Sequence, residues 1–303
     1  VMTNVTLNVL SQTGDVVFSK NKEMNLASGV SMIISEKVNT KNWDGDYTVE
    51  VKLYDQDLNL ITENSTGLSV FPEEDLKTLP GKVSMPDREG PLTSFLKSRS
   101  VKVVKFSKRT DIDTPVLVTR SNMEGKEEAV EKEIIENYEA IFEFAKNGGT
   151  VLFFDGLDNT MTSDTSKFPI KADLHPARGL WTCIPHLVKE HPAFKGLPSN
   201  TMMRDVYENV WPTMTLRNIS GEDVNAVENI VASIGFDWFS IDHEMHYSGP
   251  GTSWWGSDLP VLSIGKGRCI ISQLRLTNNL GKDPVADKIL FNLIDFASGN
   301  EPK

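Results

Sequence analysis

The sequence predicts a multidomain β plus α/β protein, a small antiparallel β-sandwich followed by an open α/β domain. Three observations predict it: apolar residues alternate between Val5 and Val70, a proline- and charge-rich stretch follows Phe71, and a strand-helix-strand run extends from Pro115 to Gly156. Alternation at period two marks half-buried antiparallel strands, whereas strand, helix and strand in succession require a parallel pair.

In the first part Val5, Leu7 and Val9 alternate, then Val30, Met32 and Ile34, then Val49, Val51 and Leu53. The turns between them are SQTGD at Ser11–Asp15, WDGD at Trp43–Asp46 and DQDLN at Asp55–Asn59, rich in residues that tolerate tight turns. Short strands at this spacing predict a sandwich over residues 1–72. The stretch PEEDLKTLPGKVSMPDREGP has four prolines and no sustained period, so residues 73–90 are expected to be a linker.

Residues 91–303 then switch character. A short helix is expected over Pro91–Lys97, a strand over Val101–Phe106 and a buried strand at PVLVTR, Pro115–Arg120. From Lys126 to Lys146, Val130, Ile134, Tyr138, Ile141 and Ala145 fall on one helical face. Asn147, Gly148 and Gly149 supply the stop, and TVLFFDG at Thr150–Gly156 resumes as a strand. Between Asp158 and Asn229 the pattern predicts a short helix over Leu180–Lys189 and a strand over Val206–Leu216. LPVLSIGKGRCIISQLRL reads as a hairpin turning at Gly265–Gly267. A last helix is capped by Asp283, starts with Pro284 and turns Val285, Ile289, Leu293 and Phe296 inward.

Lys+Arg 31 against Asp+Glu 42 leaves a net charge of -11, which disfavours nucleic acid and anionic membrane surfaces as partners. No run approaches the roughly 18 apolar residues of a membrane span. The two cysteines, Cys183 and Cys269, are too few and too far apart for a disulfide framework or a CxxC site. The chain opens at Val1 directly in a strand pattern, and the expectation is a piece of something longer.

VTLNVLSQTGDVVFSK and WDGDYTVEVKLYDQDLNLITEN resemble the immunoglobulin-like (Ig-like) sandwich that follows the catalytic barrel in family 2 glycoside hydrolases, the β-galactosidases, β-glucuronidases and relatives. PVLVTR, NGGTVLFFDG, HPAFKGLP, LPVLSIGKGRCIISQLRL and NNLGKDPVADKILFNLIDF resemble the class I glutamine amidotransferase-like, flavodoxin-like domain near the C-terminus of some of these enzymes, of the kind that helps β-galactosidases trimerise. The resemblance implies a non-catalytic accessory region serving domain docking, oligomerisation or shaping of an active-site rim. It implies partners in the parent's catalytic barrel, in carbohydrate or in further copies of the chain, no cofactor, and export to the periplasm or outside the cell, with a cytoplasmic home as the alternative. No (β/α)8 barrel can be read in this sequence, so the carboxylate pair that cleaves a glycosidic bond would lie elsewhere.

Amidotransferase chemistry needs a Cys or Ser nucleophile on a sharp turn after a strand. After VLFFDG the sequence offers Asp155, Gly156, Leu157 and Asp158, and His243 and Glu244 are adjacent where a His-x-Glu pair is needed, so that chemistry is expected to be lost. Cys183 and His186 stand three apart, a spacing that would align thiol and imidazole on a helix, though a small buried thiol explains Cys183 as well. Cys269 sits in an apolar strand, as a core residue would. In IDHEMHY, Asp242, Glu244 and His246 would share one face of an extended strand and form a weak metal candidate lacking a visible fourth group. Trp254 and Trp255, expected in a glycine-rich loop with Tyr247 before it and Trp238 in the preceding strand, are candidate glycan or interface contacts, because aromatic faces stack on sugar C–H faces and serve interfaces generally. Three readings follow: the accessory region, a carbohydrate-binding module using Trp254 and Trp255, and a hydrolase with a non-standard site.

Overall fold

The computed structural model describes residues 2–26, 29–30, 32–72, 81–86, 90–119, 138–157, 162, 168–177, 184–238 and 250–299, with backbone only at 236–238 and 250–252. The protein is β-rich and divides into two compact units, Val1–Asp75 and Leu76–Lys303.

In the first unit β1 (Met2–Leu10), β2 (Val16–Asn25), β3 (Gly45–Tyr54) and β4 (Leu60–Val70) form an antiparallel sheet in the order β2-β1-β3-β4. The alternation in the sequence has its physical cause in the register. Val5 lies opposite Leu53, Leu7 opposite Val51 and Val9 opposite Val49, so the apolar residues of both strands share one face. In the turn before β4, Asp55 Oδ1 accepts from Asp57 N at 2.9 Å and Asn59 N at 2.8 Å, while Leu58 takes a left-handed φ of 62°. The strand expected at Val30–Ile34 does not form: residues 32–40 have no regular structure, and Val30 and Met32 stand in solvent. That segment contacts β2 through side chains, with Lys22 Nζ donating to Ile33 O at 2.9 Å and Lys20 meeting Glu36 at 3.7 Å. The described residues of this unit therefore form one sheet, without the second layer of a sandwich.

The second unit is built on a mixed sheet. Its first strand, β5 (Lys82–Met85), lies inside the stretch expected to be a linker; Val83, Ser84 and Met85 are buried, but four residues are too few to show a period. It is followed by α1 (Pro91–Ser98), β6 (Lys102–Lys105), β7 (Val116–Thr119), a helix whose described part is 138–146 (α2) and β8 (Thr150–Phe154). Strands β5–β8 pair in parallel. Then come β9 (Lys171–Pro176), β10 (His186–Val188), β11 (Thr201–Met202), β12 (Met214–Ser220), β13 (Val224–Trp238), β14 (Pro250–Ile264), β15 (Gly267–Ile271) and α3 (Pro284–Ala297). The sheet runs β11-β10-β13-β14-β15-β8-β7-β5-β6, with β12 joining β14 and β9. β15 pairs antiparallel with β14 and in parallel with β8, which makes it the seam between the two halves.

Two elements differ from expectation. Of the helix expected at Leu180–Lys189, residues 180–183 lie outside the described residues, and the described part holds β10, paired between β11 and β13. The strand expected at Val206–Leu216 is displaced: Asp205–Val210 is a 3-10 turn, and the strand, β12, starts at Met214. Tertiary pairing overrides a local pattern this short.

Val116, Val118, Val151, Phe153, Cys269 and Ile271 form one core face against Tyr138, Ile141, Phe142 and Ala145 of α2. Each large side chain of this kind contributes roughly 1.5–3 kcal/mol through burial. α3 covers β8, and its Phe291 stacks on Phe95 of α1 at 5.7 Å. Asp283 caps α3, accepting from Val285 N at 2.8 Å, and Val285, Ile289, Leu293 and Phe296 are buried, as expected. The β14–β15 hairpin turns at Gly265 and Lys266, seated on the end of α2, where Lys266 N donates to Lys146 O at 2.9 Å. A Cβ on Gly267 would lie 2.3 Å from both Ala145 O and Gly149 O, so only glycine fits there.

Candidate functional site

In open α/β sheets the carboxyl ends of parallel strands are the usual place for chemistry. At that end of β8, Asp155 adopts a left-handed φ of 66°, a conformation costing about 1 kcal/mol in a residue other than glycine. Its carboxyl oxygens are held on both sides: Thr119 Oγ1, at the end of β7, donates to Oδ2 at 2.5 Å, and Thr277 Oγ1 donates to Oδ1. Gly156 follows at φ 74°, and a Cβ there would lie 2.0 Å from Gln273 Oε1. Gln273 is 8% exposed, and its buried Nε2 has no hydrogen-bond partner among the described residues. The sharp turn that an amidotransferase would use thus carries a carboxyl group engaged by two hydroxyls.

One backbone step away lies a second polar cluster, since Gln273 N donates to Asp258 O at 2.8 Å. Asp258 on β14 accepts from His186 Nδ1 of β10 at 2.8 Å and from Ser233 Oγ of β13 at 2.6 and 2.5 Å. Ser233 Oγ also lies 3.2 Å from His186 Nδ1 and 3.2 Å from Thr215 Oγ1. The residue types are those of a hydrolytic triad, but the wiring is not. A triad imidazole holds the carboxylate on one ring nitrogen and the serine on the other. Here both sit on Nδ1, the serine bonds the carboxylate directly, and Ser233 and Asp258 are wholly buried. The cluster satisfies polar groups inside the sheet and ties three strands together. Sequence reasoning missed it; the available signal was single polar residues in apolar strands, Ser233 in IVASIGF and Asp258 in SDLPVL.

Trp254 and Trp255 lie in β14 and not in a loop, because β13 pairs along the whole segment, Gly235 opposite Trp254 and Ile234 opposite Trp255. Strand alternation sends their side chains to opposite faces. Trp254 is 8% exposed: its ring lies over Gly235, where a Cβ would come within 2.1 Å, Arg217 stands 4.4 Å from its centroid, and His175 packs at 4.6 Å. That is a packing role, an aromatic filling the space left by a cross-strand glycine. Trp255, 62% exposed, is open to solvent. Trp238 belongs to β13, with its side chain outside the described residues, as are Tyr247, Asp242, His243, Glu244 and His246. Cys183 is outside them too, and its candidate partner His186 belongs to the Asp258 cluster. Cys269 is buried in β15, and burial pushes its thiol pKa far up, away from nucleophile character. Among the described residues no three His, Cys, Asp or Glu side chains gather as metal ligands.

No protein-family model matches the chain, and no curated protein matches it. Among the described residues no helix is long and apolar enough to cross a membrane.

Proposed function

We propose that the chain is a non-catalytic accessory region of a family 2-like glycoside hydrolase, an antiparallel β-sheet unit followed by an amidotransferase-like one. It serves docking on the parent's catalytic barrel, oligomerisation or shaping of an active-site rim, in an exported protein. The observation that carries the reading is the turn after β8, where Asp155, held by Thr119 and Thr277, occupies the place of a nucleophile. The parallel strands β5–β8 and β15, with helices α1, α2 and α3 packed about them, support the amidotransferase-like assignment. The purified chain is expected to leave chromogenic glycosides and glutamine intact at any concentration tested. Steady turnover of either, abolished by Asp155→Asn, would overturn the reading.

A second reading, a glycan-binding surface, is favoured at one point only, the exposed Trp255. Calorimetric titration with oligosaccharides would then find a ligand that Trp255→Ala weakens roughly tenfold, about 1.4 kcal/mol, and that Trp254→Ala weakens only through lost folding.

A further inference from the structure

Asn147 precedes Gly148 and Asn64 precedes Ser65. An asparagine followed by a small residue is chemically labile, because the backbone nitrogen of the follower can attack the side-chain amide carbon. Ammonia leaves, a five-membered succinimide forms, and water reopens it to aspartate or isoaspartate. Glycine, with no side chain, crowds the attack least, so the sequence by itself ranks Asn147 first. The structure reverses that order.

At Asn147 both reacting groups are occupied. Its Nδ2 donates to Glu143 O at 2.8 Å and to Glu143 Oε1 at 3.3 Å, and Gly148 N donates to Ala145 O at 2.9 Å. These bonds close the end of α2 and aim the Gly148 N–H at the helix. Asn64, by contrast, is exposed in β4, the last strand of its sheet, which pairs with β3 alone. Ser65 N donates to Asn64 Oδ1 at 2.9 Å, so the attacking nitrogen already faces the amide it would attack. Among the described residues nothing bonds Asn64 Nδ2, the leaving group. Ring closure requires the backbone at Asn64 to turn out of the extended conformation. On an edge strand that movement breaks bonds to one neighbour and not to two.

We propose that Asn64 is a site of spontaneous deamidation in the folded protein, with solvent water as the co-reactant. Ser65 N gives its proton to solvent and bonds to Asn64 Cγ, the Cγ–Nδ2 bond breaks, and the nitrogen departs as ammonia. Water then hydrolyses the succinimide at either carbonyl, and nothing is oxidised or reduced. The product carries a new carboxylate on a strand whose one charged side chain is Glu63. In the isoaspartate form the main chain runs through the former side-chain carbon and is one atom longer. Residues 65–70 then fall out of step with their partners 45–50 on β3, and that part of the ladder loosens.

The test is to age the full chain in mildly alkaline buffer, digest it, and follow isoaspartate by methyltransferase labelling and mass spectrometry of the peptides. In the folded chain the label is expected at Asn64 well before Asn147. In guanidinium chloride, which frees Gly148 N and the Asn147 side chain, Asn147 is expected to lead. The rate at Asn64 should rise with pH, because the attacking nitrogen must lose its proton. Ser65→Ile, a β-branched follower suited to an exposed strand position, is expected to slow labelling at Asn64 several-fold while leaving the melting profile unchanged by circular dichroism. Modification of Asn147 first in the folded chain overturns the proposal. So does an Asn64 that stays intact in the folded chain over the time in which the unfolded chain is modified there.

Discussion

At the scale of single residues, Gly156 combines two demands, a left-handed φ of 74° and a close approach to the Gln273 amide. The two can be separated. Gly156→Ala is expected to destabilise by about 2 kcal/mol, part backbone strain and part displacement of Gln273. In a Gln273→Ala background the same change should cost only the backbone part, about 1 kcal/mol, and urea denaturation of the four proteins measures the coupling. Equal costs in both backgrounds would show that the side-chain approach carries no energy. Asp287 offers a pH handle. Burial raises its carboxyl pKa above the ordinary value, outweighing the Gly281 N–H at 2.8 Å and the Arg99 guanidinium at 3.6 Å, both of which lower it. With the folded value raised, the folded state binds this proton more tightly than the unfolded one. Stability from this group is therefore greatest below the ordinary carboxylate value, about 3.9, and declines as pH rises through the window up to the raised folded value. Relative to wild type, Asp287→Asn should gain stability over that same window, seen in melts at stepped pH; a constant offset between the two proteins would refute the assignment.

At the scale of elements, the Asp258 cluster decides how β10, β13 and β14 line up. A slip of one residue turns every side chain of a strand to the other face, and would strand His186 or Ser233 away from the carboxylate. Asp258→Ala removes the short carboxylate bonds of both, leaving only the 3.2 Å contacts of Ser233 with His186 and Thr215, and is expected to cost about 3 kcal/mol or more. Asp258→Asn, which keeps an oxygen acceptor, should cost clearly less, and chemical denaturation distinguishes the two. Loss of under about 1 kcal/mol in the alanine variant would mean that water already shares the site. The tryptophan pair teaches the complementary lesson. Two adjacent aromatics in a glycine-rich sequence suggested a displayed loop, yet Gly235 across the sheet is what gives Trp254 its seat, and only Trp255 is displayed.

At the scale of the whole molecule, what could be read in the sequence is what depends on near neighbours. β1, β3, β7, β8, α1 and α3 follow from local periodicity, caps and turn residues, and the Asp55 and Gly265 turns from turn chemistry. What could not be read depends on distant partners. Val30, Met32 and Ile34 alternate like a strand but lack a ladder to join. β10 is three residues long and exists because β11 and β13 flank it. His186 and Asp258 are 72 positions apart, and neither sits in a motif that would announce the other. The turn after β8 was half legible: the missing nucleophile could be seen, but the threonines that occupy Asp155 come from β7 and from the loop before α3.

The seam at β15 also has a consequence in time. The parallel strands β5–β8 all lie before residue 155 and the antiparallel ones after residue 170, so each half assembles from its own stretch of chain. Their union at β8 and β15 joins residues such as Thr150 and Arg268, 118 positions apart, and closes the longest loop of any strand pairing among the described residues. Docking of the two halves is therefore expected to be the slow step, as long-range parallel pairing is elsewhere. Amides of β8 and β15 should gain protection last in pulsed hydrogen exchange, after those of β13 and β14, which are joined as neighbours in the chain.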